Sequence, residues 1–447
     1  MTTSVPPRPS TAPPPEGAGR VLDSFLPGAG GAPVADDHGA PDHREDELLV
    51  SGTAGVYRYG DTTDTVILDH ESTYTTRIIV RRPRDPRAFS GTVVLEIGHP
   101  EMGSGPVWQF CGPLVGRRGH AHVLVTTRRN NQAYGAETPI SLLRSFDPVR
   151  YGPLDFEEGG MTWDILAQVA ALVRSDVEAN PLAGLDVARV VAGGYSGGGA
   201  YTLMYLKLFH DRWRHDDGSP LIDAYLVGEP SWYQAVSTLD DRHPDDQTVP
   251  DVDVPVISFY NMPLAPMVER VAPGATRFRP DDDTVAANGR AAGRRTYEIA
   301  GSAHVNMEGC GLPSSDLRLD HVFRLCVEHL ERWVLGEPAP RGEPIAVGGE
   351  PPSALGDEHG NTSGGVRSTF VDIPRARYLQ CAERGTGVME RFSPDKLRAL
   401  YGSHDRYVAA VEARAAELVQ QRWVLADDAA EQVATAASPS IAGWFAG

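Results

Sequence analysis

A glycine-rich turn, GGYSGGG at residues 193–199, is the feature that most narrows the folds open to this chain. The β-branched run RVVA precedes it, and the apolar stretch AYTLMYLKLF follows it. A buried strand, a sharp glycine turn and a helix, in that order, are typical of a nucleophile elbow, which lifts the serine of a GxSxG motif above the strand ends. Ser196 is that serine, with Gly194 and Gly198 two residues away on either side. We therefore predict that Ser196 is a nucleophile, with a strand over Arg189–Gly193 and a helix from Gly198 onward.

The rest of the chain alternates between strand-like and helix-like patterns. Short β-branched or apolar runs bounded by Gly, Pro or Asn predict strands, and these lie at Tyr74–Pro83, Gly91–Pro100, His120–Arg128, Ile222–Glu229, Val254–Asn261 and Arg295–His304. Apolar residues at helical spacing predict helices at Met161–Asp176, after the elbow, and at residues 319–336. Such alternation is typical of an α/β protein, with a mainly parallel central sheet flanked by helices.

Changes in composition suggest three regions. Residues 1–45 are rich in Pro, Gly and acidic side chains and poor in apolar ones, which predicts a disordered tail. Residues 46–336 carry the alternating pattern and form the predicted core domain, with an insertion around residues 134–160. Residues 337–447 are a looser C-terminal extension that we expect to pack on the core, with helices at Pro394–Tyr401 and His404–Gln421.

The charge balance limits the partners of the chain. With 60 Asp and Glu against 41 Lys and Arg, the formal net charge is -19, and such a surface does not attract nucleic acid. No apolar run is long enough to span a membrane, and the N-terminus lacks the apolar region of a signal peptide. We expect a cytoplasmic protein with a small-molecule partner, with no nucleic acid and no membrane partner; a homo-oligomer is left open.

Nothing in the sequence calls for a metal or another cofactor. The cysteines are widely spaced and form no CxxC pair, so we expect buried thiols and leave a bridge open: Cys111, Cys310, Cys326 and Cys381. The stretch HDRWRHDDG has a spacing that fits no zinc pattern, and we interpret it as a polar helix end followed by a turn: His210, His215, Asp216 and Asp217.

A serine nucleophile needs a base and an acid, which follow the serine in the order acid, then histidine. His304, in EIAGSAHVNM, lies just past the last predicted strand and is the predicted base. The usual place for the acid, after the strand VISFY, holds Asn261, and the first carboxylate beyond it is Glu269. Glu229 ends the preceding strand, and we prefer it as the acid, with Glu269 as the alternative.

An oxyanion hole should accompany these residues. The backbone N–H of Gly197, next after the nucleophile, is one expected donor. The second should come from the loop His99–Gly105, which follows the strand TVVLEIG and is rich in glycine.

Several longer stretches carry a resemblance to a known family: LLVSGTAGVYRYG, YTTRIIVRRPRDPRAFSGTVVLEI, FDPVRYGPLDFEEGGMTWDILAQ, RVVAGGYSGGGAYTLMYL, GDEHGNTSGGVRSTFVDIPRARY and LRALYGSHDRYVAAV. In these the chain resembles a bacterial family of α/β-hydrolase-domain proteins with a C-terminal extension. The resemblance implies an α/β-hydrolase fold with Ser196 and His304 at the catalytic positions. The chain departs from the family where Asn261 replaces an acidic residue and where the elbow reads GYSGGG.

In such a fold the insertion Tyr134–Gly160 would lie above the strand ends as a lid. The aromatic side chains that we expect to contact substrate are Trp108, Phe146, Tyr151, Tyr195 and Trp232.

These features together predict a serine hydrolase, and most specifically a carboxylic ester hydrolase that acts through an acyl-enzyme on a small or medium-sized ester. Two alternatives remain: an acyltransferase or thioesterase of a biosynthetic pathway, and a non-hydrolytic protein that uses the fold to bind or cyclise a ligand. The Asn at the usual acid position keeps the second alternative open.

Overall fold

One large sheet dominates the computed structural model, which describes residues 4–17, 40–100, 105–127, 139–157, 159–230, 239, 249–262, 281, 283, 289, 291–381 and 385–446. Its strands are β1 (Ser10–Ala12), β2 (His43–Tyr59), β3 (Val66–Pro83), β4 (Thr92–Ile97), β5 (Ala121–Val125), β6 (Asp155–Phe156), β7 (Arg189–Tyr195), β8 (Ala224–Gly228), β9 (Pro255–Tyr260) and β10 (Gly293–Glu298). Their order across the sheet is β1-β2-β3-β5-β4-β7-β8-β9-β10, and β6 pairs with β3. The expectation of an α/β-hydrolase sheet is confirmed.

Strand direction follows the sequence pattern. Strands β5, β4, β7 and β8 are parallel neighbours, and β4, β5 and β8 are buried along their whole length. Continuous apolar runs of this kind suit the middle of a sheet that is covered on both faces. The long strands β2 and β3 form an antiparallel hairpin that joins the sheet through β5.

The chain divides into two compact units. The first comprises Met1–Ser258, Asp281–Arg294 and Val327–Ala339, and the second comprises Phe259–Pro280, Arg295–Cys326 and Pro340–Gly447. The predicted tail, core and extension stay predictions. Within the predicted tail, Ser10–Ala12 forms β1 against Leu49–Ser51 of β2.

The first unit contains four helices among its described residues: α1 (Pro106–Arg118), α2 (Pro139–Phe146), α3 (Thr162–Leu172) and α4 (Gly197–Leu208). Helix α3 is buried almost throughout, and its Asp164 carboxylate anchors it to β2. That carboxylate accepts hydrogen bonds from the Gly55 N–H at 2.8 Å, the Tyr57 hydroxyl at 2.9 Å and Trp213 Nε1 at 2.8 Å. Burial raises the pKa of Asp164, and the three donors offset part of the cost of burying the carboxylate.

A long helix, α5 (Leu319–Val334), forms where the amphipathic pattern predicts one; Leu319–Cys326 are grouped with the second unit and Val327–Val334 with the first. The remaining elements belong to the second unit: β11 (Val305–Asn306), β12 (Val347–Gly348), β13 (Ser353–Ala354), α6 (Thr369–Asp372), β14 (Ala376–Cys381), β15 (Thr386–Arg391), α7 (Pro394–Tyr401), α8 (His404–Gln420), α9 (Ala426–Ala436) and α10 (Pro439–Ala442). The last four helices enclose their own apolar cluster around Leu397, Tyr407 and Phe445. Ser393 and Ser403 cap α7 and α8, each accepting a backbone N–H of the first turn.

Two of the four cysteines form a disulfide and two are free thiols. Cys310 and Cys381 form a disulfide, the possibility that the sequence left open, whereas Cys111 and Cys326 are buried thiols as expected. No helix within the described ranges is both long and apolar enough to cross a membrane.

Candidate active site

Ser196 lies at the sharp turn between β7 and α4, as the sequence predicts. Its backbone has φ 55° and ψ -119°, a conformation that an L-residue adopts only when its surroundings enforce it. The Ser196 N–H donates to the Gly228 carbonyl at the end of β8, at 2.9 Å, and the Ser196 carbonyl accepts the Ala200 N–H at 2.9 Å. The turn is thus fixed on one side to the neighbouring strand and on the other to the helix.

The glycines around Ser196 are required for space. A Cβ on Gly194 would lie 2.4 Å from the Gly198 carbonyl oxygen, and a Cβ on Gly198 would lie 2.7 Å from the Ile97 carbonyl oxygen. A Cβ on Gly199 would lie only 2.2 Å from the Gly228 carbonyl oxygen. Because these neighbours are backbone atoms, they cannot move aside as a side chain could. Gly194, Gly198 and Gly199 are therefore required by close backbone approaches, and those to Gly198 and Gly199 come from the flanking strands β4 and β8.

The loop after β4 approaches the N-terminus of α4. A Cβ on Gly197 would lie 2.9 Å from Pro100 Cδ and 3.1 Å from His99 Nε2. The start of the predicted oxyanion loop therefore lies beside Gly197, where the helix N-terminus favours negative charge. Residues 101–104 of this loop lie outside the described residues, so its donor amide stays a prediction. His99, the first residue of this loop, is buried.

A buried carboxylate holds the far end of the same loop. Glu96 of β4 is fully buried and accepts hydrogen bonds from the Val107 N–H at 2.7 Å and the Trp108 N–H at 2.9 Å, in the first turn of α1. This is the favourable position for a negative charge at a helix N-terminus. Glu96 thereby fixes the residue at which the loop ends. Sequence reasoning missed it, although a glutamate inside the apolar run TVVLEI was a usable signal.

A buried histidine and arginine complete this arrangement. Arg81 Nη1 donates to His122 Nδ1 at 3.2 Å, so His122 Nε2 carries the proton and donates to Glu96 at 2.8 Å. The Arg81 guanidinium also stacks over the Trp108 ring, 4.4 Å from its centroid, and pairs with Glu45 at 2.8 Å. Glu96 is therefore hydrogen-bonded to His122, and the Arg81 charge is paired with Glu45.

Glu229, the predicted acid, immediately follows Gly228, whose carbonyl accepts the Ser196 N–H. Its side chain is largely buried, and its backbone has φ 39°, in the left-handed region that non-glycine residues rarely adopt. Backbone strain at a non-glycine residue is common at functional sites. The structure thus brings Ser196 and Glu229 to the same ends of two adjacent parallel strands.

His304, the predicted base, belongs to the second unit and lies between β10 and β11. Burial lowers the pKa of His304, so the imidazole is neutral at pH 7 and able to accept a proton. Asn261, which occupies the usual position of the acid, is also buried, and its Oδ1 accepts the Ser302 hydroxyl at 2.8 Å. Glu269, the alternative acid, lies outside the described residues.

The aromatic residues predicted to contact substrate differ in exposure. Trp108, Tyr151 and Tyr195 are buried, whereas Phe146, at the end of α2, is 49% exposed. Trp232 lies outside the described residues. The described part of the predicted lid is tied to β2, because Glu47 accepts hydrogen bonds from Arg150 and from the Tyr151 hydroxyl.

Among the residues that the structure describes, two groups of side chains have the separation of metal ligands: His210, Asp211 and Asp253, and Asp320, His321 and Glu431. Arginines are part of both groups. Arg214 pairs with Asp211 and Asp253, and Arg324 pairs with Asp320 and Glu431. A guanidinium already neutralises these carboxylates, so their chemistry fits ion-pair networks better than a metal site.

The family of the chain follows from these observations together with sequence comparison. A family described as "Alpha/beta hydrolase domain" matches residues 10–434, and the chain belongs to that family. No curated protein matches.

Solved structures similar to this chain are hydrolases of low identity. A putative dienelactone hydrolase from Klebsiella pneumoniae is 14% identical, with a TM-score of 0.26, over 47% of this chain and 72% of that one. The esterase Est22 is 15% identical, with a TM-score of 0.28, over 49% of this chain and 64% of that one. A Pyrobaculum calidifontis esterase is 19% identical, with a TM-score of 0.23, over 43% and 47%. At these scores they add nothing to the family assignment.

Replacing Gly199 by alanine tests the packing of the elbow. The new Cβ would meet the Gly228 carbonyl oxygen, so we expect a loss of about 1–3 kcal/mol in the free energy of unfolding, measured by urea denaturation. Gly160→Ala is the matched control, because its nearest neighbour atom would be at 3.6 Å, an ordinary contact. Equal stability of the two variants would contradict the close approach.

Proposed function

We propose that this protein is a serine-dependent carboxylic ester hydrolase that acts on small or medium-sized organic esters. The observation that carries the proposal is the backbone of Ser196, which is held at φ 55° between β7 and the N-terminus of α4. This is the strained strand-turn-helix that exposes a nucleophile in hydrolases of this fold. Membership of the α/β-hydrolase family supports the same reaction class.

In the proposed reaction, Ser196 Oγ attacks the acyl carbon of the ester while His304 accepts the hydroxyl proton. The carbonyl oxygen becomes an oxyanion, which the Gly197 N–H at the start of α4 stabilises, together with an amide of the loop after β4. His304 returns the proton to the departing alcohol, which leaves Ser196 acylated. A water molecule then gives its proton to His304 and attacks the acyl carbon, releasing the acid and regenerating Ser196.

Two observations support Glu229 as the residue that orients His304. Glu229 ends the strand next to the nucleophile strand and has a left-handed backbone. Asn261 cannot supply the charge that stabilises an imidazolium, and its side chain instead accepts the Ser302 hydroxyl. A carboxylate in the Glu229 role favours the correct tautomer of the histidine and stabilises its charged form.

A small-molecule ester as the substrate remains part of the proposal, whereas the cytoplasmic location is left as an expectation from the sequence. The net charge of -19 supports the absence of a nucleic-acid partner. The Cys310–Cys381 disulfide weighs against the cytoplasm, because cytosolic thiol pools keep most disulfides reduced.

Replacement of Ser196 by alanine tests the proposed activity. With p-nitrophenyl esters of increasing acyl length as substrates, we expect kcat to fall by at least about 1,000-fold, because no acyl-enzyme can form. Thioesters assayed in parallel measure the thioesterase alternative. Unchanged ester hydrolysis by the Ser196→Ala variant would falsify the nucleophile assignment.

The acid is tested by the variant Glu229→Gln. We expect kcat to fall by about 100- to 10,000-fold, because glutamine cannot stabilise an imidazolium. Glu178→Gln, at an exposed position of the same unit, is the control and should be fully active. Full activity of Glu229→Gln combined with a loss in Glu269→Gln would assign the acid to Glu269.

The pH dependence of kcat/KM reports the ionisation of the base. Burial lowers the pKa of His304 from its ordinary value of 6.5, and only the neutral imidazole accepts a proton. Thus kcat/KM should be level at neutral pH and should decrease as the pH falls through a midpoint below 6.5. A midpoint above about pH 7 would contradict a partly buried, neutral His304.

A further inference from the structure

The segment that carries His304 is held at its start by a residue of the C-terminal extension. Gln380 of β14 donates from Nε2 to two backbone carbonyls, that of Asn261 at 2.7 Å and that of Ser302 at 2.9 Å. Asn261 directly follows β9, and Ser302 is two residues before His304. One side chain therefore joins the end of a sheet strand to the start of the histidine segment.

A buried hydrogen bond reinforces the same junction. The Ser302 hydroxyl donates to Asn261 Oδ1 at 2.8 Å, and both side chains are buried. The Asn at the usual acid position thus has an identifiable task, which is to hold the backbone that leads to His304.

Strand β15 of the extension holds the segment immediately after His304. Val305 and Asn306 pair in parallel with Thr386 and Gly387, and the Met307 N–H donates to the Gly387 carbonyl at 3.2 Å. A Cβ on Gly387 would lie 2.2 Å from Asn306 Oδ1. Gly387 therefore lies directly against the Asn306 side chain.

The disulfide closes the far end of the segment. Cys310 is six residues beyond His304, and its partner Cys381 directly follows Gln380 in β14. A Cβ on Gly309 would lie 3.3 Å from Cys381 Sγ, so the segment after His304 and the end of β14 are in contact here. Two adjacent residues of β14 thus hold Ser302 and Cys310, the two ends of the His304 segment.

We propose that Gln380 and the Cys310–Cys381 disulfide are positioning residues for His304, which makes the C-terminal extension a required part of the catalytic unit. The inference rests on the proposed function, in which His304 is the base. A base displaced by about 1 Å can lose about 100-fold in rate, so a loop held at both ends by the extension preserves the geometry that proton transfer needs.

The variant Gln380→Met tests the first positioning residue, since methionine keeps the length of the side chain and removes both donors. We expect kcat for a p-nitrophenyl ester to fall at least about tenfold while KM stays within about twofold, because substrate binding is unaffected. Gln421→Met, at an exposed glutamine just after α8, should leave both constants unchanged. Both samples are assayed well below their unfolding temperatures, so that a loss of stability alone cannot lower kcat.

Reduction of the folded wild-type protein tests the disulfide without a mutation. Dithiothreitol supplies two electrons and two protons, so the disulfide becomes two thiols and the reagent becomes its cyclic disulfide. Cys310 is exposed and accessible to the reagent. We expect kcat to fall on reduction and to recover on reoxidation, while the double variant Cys310→Ser/Cys381→Ser has a low kcat that dithiothreitol does not change.

The outcomes separate this inference from the proposed function. If the wild-type protein hydrolyses no ester, the proposed function fails first. If the wild type is active through Ser196 but Gln380→Met and the reduced protein both keep its kcat, the positioning role alone is overturned. Should the double variant not fold, Gln380→Met and the reduced wild type still decide the question.

Discussion

The turn at Ser196 depends on the close approach of two backbone carbonyls. Gly228 O, at the end of β8, accepts the Ser196 N–H and leaves no room for a side chain on Gly199. Ile97 O, at the end of β4, leaves no room for a side chain on Gly198. The parallel neighbours of β7 therefore confine the turn from both sides, and this confinement maintains a backbone conformation that Ser196 would otherwise avoid. The position of Ser196 at the turn, the start of α4 and the adjacent Glu229 all follow from this packing.

The buried charges in the first unit have a different task from the proposed catalytic groups. Glu96 satisfies the first N–H groups of α1, and Asp164 ties α3 to β2. Each carboxylate accepts several hydrogen bonds, which offsets the cost of burying it. Glu96 and Asp164 are structural because their hydrogen bonds join one helix or strand to another. Glu229, in contrast, lies at a strand end beside the nucleophile. Burial of an acid is thus not enough to identify a catalytic residue, and its place relative to the strand ends is the better criterion.

Much of the fold could be predicted because local patterns decide it. The buried strands and the helix α7 lie where their sequences place them, and the elbow follows from a strand, a glycine turn and a helix in succession. Strand β1 was missed because Ser10–Ala12 is short and polar and becomes a strand only by pairing with β2. The hairpin of β14 and β15 and the disulfide depend on contacts between distant residues, and a separation of 71 residues between Cys310 and Cys381 leaves no signal in the sequence. Glu96 was missed for a related reason, because its partners come from another helix and strand.

Covalent labelling of the nucleophile measures most directly whether Ser196 is activated. A fluorophosphonate reacts with a serine only when a base and an oxyanion site activate it. Treatment of the folded protein, followed by intact-mass analysis and peptide mapping, should give one label per chain, located on Ser196 and absent from the Ser196→Ala variant. A folded protein that takes up no label, or takes it up at another residue, would contradict the claim that the elbow presents an activated serine.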